Sequence, residues 1–175
     1  MKPSASFRTS FSKVIVVTGT PGTGKTTLAK KCAKECGFTY SDVNNLIKTH
    51  HLYSSYERKR KSYVVDLKKL NSFLIFHIKK SKKQLVLDSH LAHHLPQKYV
   101  AVCLVTHCSL QTLTKRLKKR GYTAAKVEEN CQAEIFDICG IESCEFGHRI
   151  INVTMDSQTK VSDVHKLCQK IKKFI

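Results

Sequence analysis

The amino-acid sequence predicts an α/β domain in which helices cover both faces of a central parallel sheet. Three observations carry that prediction. Short apolar runs rich in β-branched residues alternate with longer segments of helical periodicity, the pattern of βαβ units. A glycine-rich stretch, Gly19 to Lys25, joins the first such run directly to the first helix. No internal repeat and no Pro- or Gly-rich linker divides the 175 residues, a length that holds one core and is too short for two ordinary domains.

The elements follow in order. Residues 1–12 are basic and Ser-rich, and are expected to form a flexible extension to a single domain over 13–175. Lys13 to Val17 is a continuous β-branched run, as a strand buried on both faces must be. Lys25 to Cys36 has helical spacing and Gly37 stops it. Asp66 to Lys80 places Leu67, Leu70, Phe73, Leu74 and Ile78 on one helical face and bases on the other. Leu85 to Leu87 is a second buried strand, ending at Asp88, and Tyr99 to Val105 is a third. Ser109 caps an amphipathic helix through Arg120, with Leu110, Leu113 and Leu117 as its inner stripe, and Gly121 ends it. Val127 to Cys139 reads as a helix, Ile150 to Val153 as the last strand and Val161 to Phe174 as the closing helix.

Composition narrows the classes of function. No apolar run approaches the roughly 20 residues needed to cross a bilayer, so no membrane partner is expected. Hydrophobic and charged fractions of 41% and 25% suit a soluble chain, cytoplasmic or, in a eukaryotic cell, nuclear. The charge is less ordinary: 31 Lys and Arg against 13 Asp and Glu leave +18. Such a field attracts polyanions, which fits contact with RNA or an RNA-rich assembly; it fits equally the solvated surface of a Lys-rich proteome. The eight cysteines include no Cys-x-x-Cys pair. Cys32 and Cys36 share a helix face and Cys103 sits mid-strand, so buried free thiols are expected rather than disulfides or a zinc site built on them.

The chemistry begins with the loop. Gly19-Thr20-Pro21-Gly22-Thr23-Gly24-Lys25-Thr26 fits the P-loop pattern at every fixed position, between a buried strand and a helix. Its glycines let backbone N–H groups turn towards phosphate oxygens, and the helix start adds its positive dipole end. Lys25 is expected to reach the β- and γ-phosphates, Thr26 to ligate Mg2+ and Thr27 to touch the α-phosphate. Such a loop needs an acid at the end of a neighbouring strand to hold the ion, and Asp88 supplies it. His90, two residues on, can orient or deprotonate an attacking water. Metal binding by the following histidines is set aside because Mg2+ prefers oxygen, and His93 and His94 are read as solvent-exposed. Arg116, Arg120 and Lys126 bracket the turn at Gly121-Tyr122; they read equally as a clamp on the triphosphate and as a solvated basic stripe. Tyr56 to Lys61 (YERKRK) suits nucleotide or RNA contact, nuclear import or a flexible charged loop.

GTPGTGKTT, the Asp-x-His of LDSHLAHHLP, and LKKRGYTAAKVEENCQAEIFD together resemble the adenylate kinase isoenzyme six family, small archaeal and eukaryotic adenylate-kinase-like ATPases. The similarity runs from about Val14 to the closing helix. It implies a three-layer α/β/α nucleoside-monophosphate-kinase fold, with a monophosphate-binding segment over about 42–65 and a short lid over about 119–129. It implies binding of ATP with Mg2+, ATP hydrolysis, and phosphoryl transfer to AMP. Gly22, Gly24, Lys25, Thr26 and Thr27 then hold the triphosphate, Thr26 and Asp88 the metal, Asp88 and His90 serve hydrolysis, Arg120 is the lid arginine and Lys160 packs on the adenine. The resemblance also implies a role in small ribosomal subunit maturation and rRNA processing, with a small-subunit ribosomal protein of the S eleven type as partner on the pre-ribosome. At the acceptor site the chain departs from the family: Lys48 stands where an arginine is usual, keeping the charge but losing the fork that clamps a phosphate. Two other readings follow the same residues: a ribosome-assembly chaperone switched by nucleotide, and a kinase with a different small acceptor.

Overall fold

The computed structural model describes residues 13–58, 62–156 and 161–175. Its strands are β1 (Val14–Thr18), β2 (Thr39–Asp42), β3 (Tyr53–Glu57), β4 (Ser62–Val65), β5 (Leu85–Asp88), β6 (Val100–His107) and β7 (Ile150–Thr154). Its helices are α1 (Lys25–Cys36), α2 (Val43–Thr49), α3 (Leu67–Lys80), α4 (Leu110–Lys119), α5 (Ala124–Ile135), α6 (Ile138–Glu145) and α7 (Val161–Ile171). Five strands form one parallel sheet in the order β2-β5-β1-β6-β7, while β3 and β4 pair as a separate antiparallel hairpin.

The unbroken apolar runs are explained by the two faces of this sheet. In β1, Val14 and Val16 join one core with Leu70, Leu74 and Ile78 of α3 and Val43 and Ile47 of α2. Ile15 and Val17 join the other, with Leu28 and Cys32 of α1 and Val164 and Cys168 of α7. A residue on either parity is therefore buried, which removes the polar alternation of a half-exposed strand. A small third cluster, Cys108, Leu113, Leu117 and Val127, fastens α4 and α5 above the strand ends.

The local stop and start signals act as their chemistry requires. Asp66 accepts from the Lys68 and Lys69 N–H groups, and Ser109 from Thr112 N–H. Gly37 closes α1 at φ 72°.

Four readings are corrected. The segment expected as one helix over Val127–Cys139 is two, α5 and α6, broken at Phe136-Asp137. Asp137 takes φ 46° and its carboxylate accepts from Gly140 N–H, so a capping side chain beats helix continuation. Leu110, expected on the inner stripe, is exposed, because at the first position of α4 it projects before the helix reaches the core. Tyr99 belongs to a 3₁₀ turn, Gln97–Tyr99, and the strand it was expected to open runs on to His107. His93, expected at the surface, is fully buried. All eight cysteines are free thiols, although Cys144 is exposed where burial was expected, and among the described residues no helix is long and apolar enough to cross a membrane. The extension over residues 1–12, Lys160 and most of the basic run after Arg58 lie outside the described residues.

Candidate active site

The site is built where β1 ends. From Thr18 the chain turns through Gly19 (φ 136°), Gly22 (φ 100°) and Gly24 (φ 111°) into α1. Gly24 caps that helix without a side chain, so the first-turn N–H groups are left for an outside acceptor. A Cβ on Gly19 would lie 2.4 Å from the carbonyl oxygen of Thr106 on β6, closer than atoms can approach.

The loop is held from behind. Thr23 Oγ1 donates to Thr20 O at 2.8 Å and lies 2.6 Å from Thr106 Oγ1. Arg116 donates from Nη1 to Gly22 O and Thr23 O, at 3.2 and 3.3 Å, and from Nη2 to Met155 O at 2.8 Å. Arg116 is thus a brace whose guanidinium is spent on three carbonyls. Lys25 folds back to donate to Gly19 O at 2.7 Å and Thr20 O at 3.0 Å. Removal from water pushes its ammonium down to about 8, against the opposing pull of Cys139 and Asp88.

A cavity of about 230 Å³ opens at the carboxyl ends of the strands, the usual place for a ligand in such sheets. The loop contributes Pro21, Gly22, Gly24, Lys25, Thr26 and Thr27 to its wall. Asn44 enters from α2, Asp88 and His90 from the end of β5, and Arg120 and Tyr122 from the turn after α4. Eight of the residues singled out in the sequence are thereby brought to one place, although they span about a hundred positions. Asp88 is buried and accepts from the Tyr40 hydroxyl at 3.0 Å. Burial, then the Asp88 charge, pushes the Tyr40 phenol far above its usual range. His90 is pushed down to about 4 by burial and then by the charge of Lys25, so near pH 7 it is a neutral imidazole. Lys126 stands 4.6 Å over the Tyr122 ring rather than on the cavity wall, and Lys48 is exposed on α2.

Sequence reasoning leaves three contributors without the roles they have here. Tyr40 gives no signal on a short polar edge strand. Arg116 earns its role only through contacts 39 to 94 residues away. His93 is buried because both ring nitrogens find partners: Nδ1 meets Thr18 Oγ1 and Nε2 meets Glu142 Oε2, each at 2.8 Å.

The end of β6 is tied to α5 by His107, whose Nδ1 lies 3.5 Å from Glu134 Oε1, while the same carboxylate accepts from Cys108 N–H. The Glu134 hydrogen bond raises the His107 pKa against burial. A raised histidine stabilises fully below its unfolded value, and that contribution is lost as pH rises through the folded value. The stability advantage of the parent over Glu134→Gln, followed by thermal unfolding, should therefore shrink as pH rises above 6.5; an advantage that does not change with pH would refute the assignment.

The comparisons bear on family and fold. The family described as "AAA domain" matches residues 15–137. A protein of Methanocaldococcus jannaschii named "Putative adenylate kinase" is 37% identical over 150 residues, which cover 86% of this chain and 82% of that one. The Schizosaccharomyces pombe protein named "Adenylate kinase isoenzyme 6 homolog" is 32% identical over 145 residues, 83% of this chain and 82% of that one. Among solved structures, a shikimate kinase from Acinetobacter baumannii in complex with shikimate superposes with TM-score 0.56 at 16% identity, covering 93% of this chain and 92% of that one. A gluconokinase from Sinorhizobium meliloti does so with TM-score 0.53 at 15% identity, covering 93% of each. At such identities the structural likeness speaks for the fold alone, that of P-loop kinases. The sequence relatives go further, and the chain belongs to the adenylate kinase isoenzyme 6 family.

Proposed function

We propose that the protein transfers the terminal phosphoryl group of ATP to AMP, giving two ADP, and hydrolyses ATP when no acceptor is seated. The observation that carries this reading is the convergence of Lys25, Asp88, His90 and Arg120 on one cavity at the mouth of the glycine loop.

Phosphoryl transfer asks the protein for position and charge more than for covalent chemistry. The free N–H groups at the start of α1 receive phosphate oxygens. Lys25 leaves the carbonyls of Gly19 and Thr20 for the β- and γ-phosphates, whose charge favours its protonated form. Arg120, exposed at the cavity's lip, spreads the charge of the moving group. Asp88 and the Thr26 hydroxyl put hard oxygen donors on the cavity wall, a set that suits Mg2+. When bound, that ion neutralises β- and γ-phosphate oxygens. His90, neutral at pH 7 and a weak base, offers a lone pair that orients the hydrogen of the attacking water in hydrolysis. In transfer to AMP the attacking atom is a phosphate oxygen of AMP, ADP leaves, and no proton need be removed. Asn44 marks the acceptor side, within a monophosphate segment over 42–65, and residues 119–129 act as the lid.

The deciding experiment incubates the purified protein with Mg-ATP, with and without AMP, and follows ADP. Two ADP for each ATP consumed, only with AMP present, is the expected result. Phosphate release indifferent to AMP would leave the ATPase and overturn the kinase. Transfer to another small acceptor in preference to AMP would make the protein a different small-molecule kinase.

A second reading, that nucleotide turnover serves small ribosomal subunit maturation in the cytoplasm or nucleus, draws support from one surface. Six of the 13 acidic residues fall between Glu128 and Glu145, a stretch without Lys, Arg or His in a chain of net charge +18. The same stretch exposes Ile135, Phe136, Ile138 and Ile141, with Phe146 beside them. Isolated exposed apolar residues are ordinary; a group of them rimmed by acids fits a basic protein with an apolar anchor. The family resemblance makes a small-subunit ribosomal protein of the S eleven type the partner to test there. Phe136→Glu with Ile135→Asp should weaken its capture at least about tenfold while leaving ADP formation intact. Undiminished capture would remove this face from the interface.

A further inference from the structure

One polar cluster is left over by the nucleotide chemistry. It lies where the 3₁₀ turn Ala92–His94 meets α6, and it consists of His93, His94 and Glu142. One donor atom from each lies within 4.8 Å of the other two. We propose that these three side chains form a zinc site that fastens the turn after β5 to α6.

The surroundings are those of a ligand set held ready. His93 Nε2 faces Glu142 Oε2 at 2.8 Å, and His93 Nδ1 meets Thr18 Oγ1 at 2.8 Å. Without metal, Nε2–H donates to the carboxylate; zinc would take the place of that proton, with Nδ1–H then donating to the Thr18 hydroxyl, the kind of outer partner that fixes tautomer and ring in zinc proteins. The backbone carrying the two histidines is anchored on both residues. His148 Nε2 meets the His93 carbonyl at 2.7 Å, and Asn71 Nδ2 donates to the His94 carbonyl at 2.9 Å. The His94 ring is set between His93, 4.5 Å away, and the edge-on ring of Phe146 at 5.2 Å. A buried histidine paired with a carboxylate explains His93 and Glu142; it leaves the convergence of His94 without a purpose.

The donor chemistry selects the ion. Two imidazoles and one carboxylate suit Zn2+, with a remaining position for water, whereas Mg2+ and Ca2+ take oxygen ligands. Zinc here would join α6, which carries the exposed apolar side chains, to Thr18, the residue before the glycine loop. Its role is structural, and the site is separate from the Mg2+ position at Thr26 and Asp88.

The test uses the full chain, stripped with a chelator, reduced with a phosphine and kept free of nucleotide. Zn2+ titrated by calorimetry should bind at one per chain, with a dissociation constant of about 1 µM or tighter, and should raise the unfolding midpoint. His94→Ala should weaken binding about 100-fold or more, Glu142→Ala likewise, and Thr18→Val about 10-fold. Co2+ should give a visible ligand-field band without thiolate charge transfer in the near ultraviolet. The proposal falls if saturable Zn2+ binding is weaker than about 100 µM. It falls equally if His94→Ala binds as the parent does, or if Co2+ shows thiolate bands, which would give the ion to the free cysteines. His94 and Glu142 are partly exposed, so both variants should fold; where Glu142→Ala unsettles α6, His94→Ala decides alone.

Discussion

Lys25→Met should lower kcat for ADP formation by about 100- to 1,000-fold while the protein stays folded. Lys25 brings an ammonium to the floor of the cavity, between the loop carbonyls and Asp88, where the charge of a transferring phosphoryl group needs an answer. Met keeps the length of the side chain and removes the charge, so the loss reports on transition-state stabilisation more than on packing. Of the two acceptors it leaves, Thr20 O keeps the Thr23 N–H and hydroxyl as donors. The unfolding midpoint should accordingly move little. Steady-state ADP production across a range of ATP concentrations measures the effect, and a variant within tenfold of the parent in kcat would sink the assignment of this loop. Asp88→Asn should act in parallel and should also blunt the dependence on Mg2+ concentration, because an amide holds a divalent cation poorly.

Gly19→Ala should cost about 4 kcal/mol of stability, enough to lower the unfolding midpoint by roughly 10 °C in a chain of this size. The new methyl would meet Thr106 O at 2.4 Å and Thr106 Oγ1 at 2.5 Å, and the backbone would be forced to keep φ 136° with a side chain attached. Thr106 cannot retreat cheaply. It is fully buried on β6, its hydroxyl donates to Thr18 O, and its strand pairs with β1 along the whole of that element. Gly37→Ala is the natural comparison: it too has a positive φ, 72°, but nothing lies within 4 Å of the added carbon. That change should cost about 1 kcal/mol. Urea unfolding of both variants separates the two terms, and equal losses would show that close packing of β1 on β6 contributes nothing.

The parts of the fold that could be read in the sequence are those whose residues see only one kind of environment. β1 and β5 are buried on both faces, so their apolar runs announce them. The helices α1, α3 and α4 begin or end on Gly, Asp or Ser whose chemistry is local. β2 was not read as a strand because Thr39-Tyr40-Ser41-Asp42 forms a polar edge, with one neighbour instead of two. The break between α5 and α6 was missed because a capping Asp inside an apolar periodicity looks like an ordinary helical residue until its φ is known. The site divides in the same way. Lys25, Thr26 and Asp88 belong to patterns whose spacing is itself the geometry. Arg116 reads equally as clamp and as solvated stripe from spacing alone, because three carbonyls from two distant segments fix its role. His93 was misplaced by the general rule that polar residues face water, which fails when Thr18 and Glu142 supply both partners.

Arg116 has a mechanical consequence as well. It sits one helical turn before Arg120 on α4, and its three bonds fasten that helix to the glycine loop and to Met155 at the end of β7. The helix is thus bolted to the frame it would have to move against. Swinging α4 as a rigid arm to carry Arg120 further over the cavity would drag the loop out of shape. Any travel must begin beyond the bolt, and Gly121, at φ 73° with open space around it, is the first joint available. On the proposed reading of residues 119–129 as a lid, its stroke is then short, because Tyr122 and Val127 at the start of α5 also pack on Leu113 and Leu117 of α4.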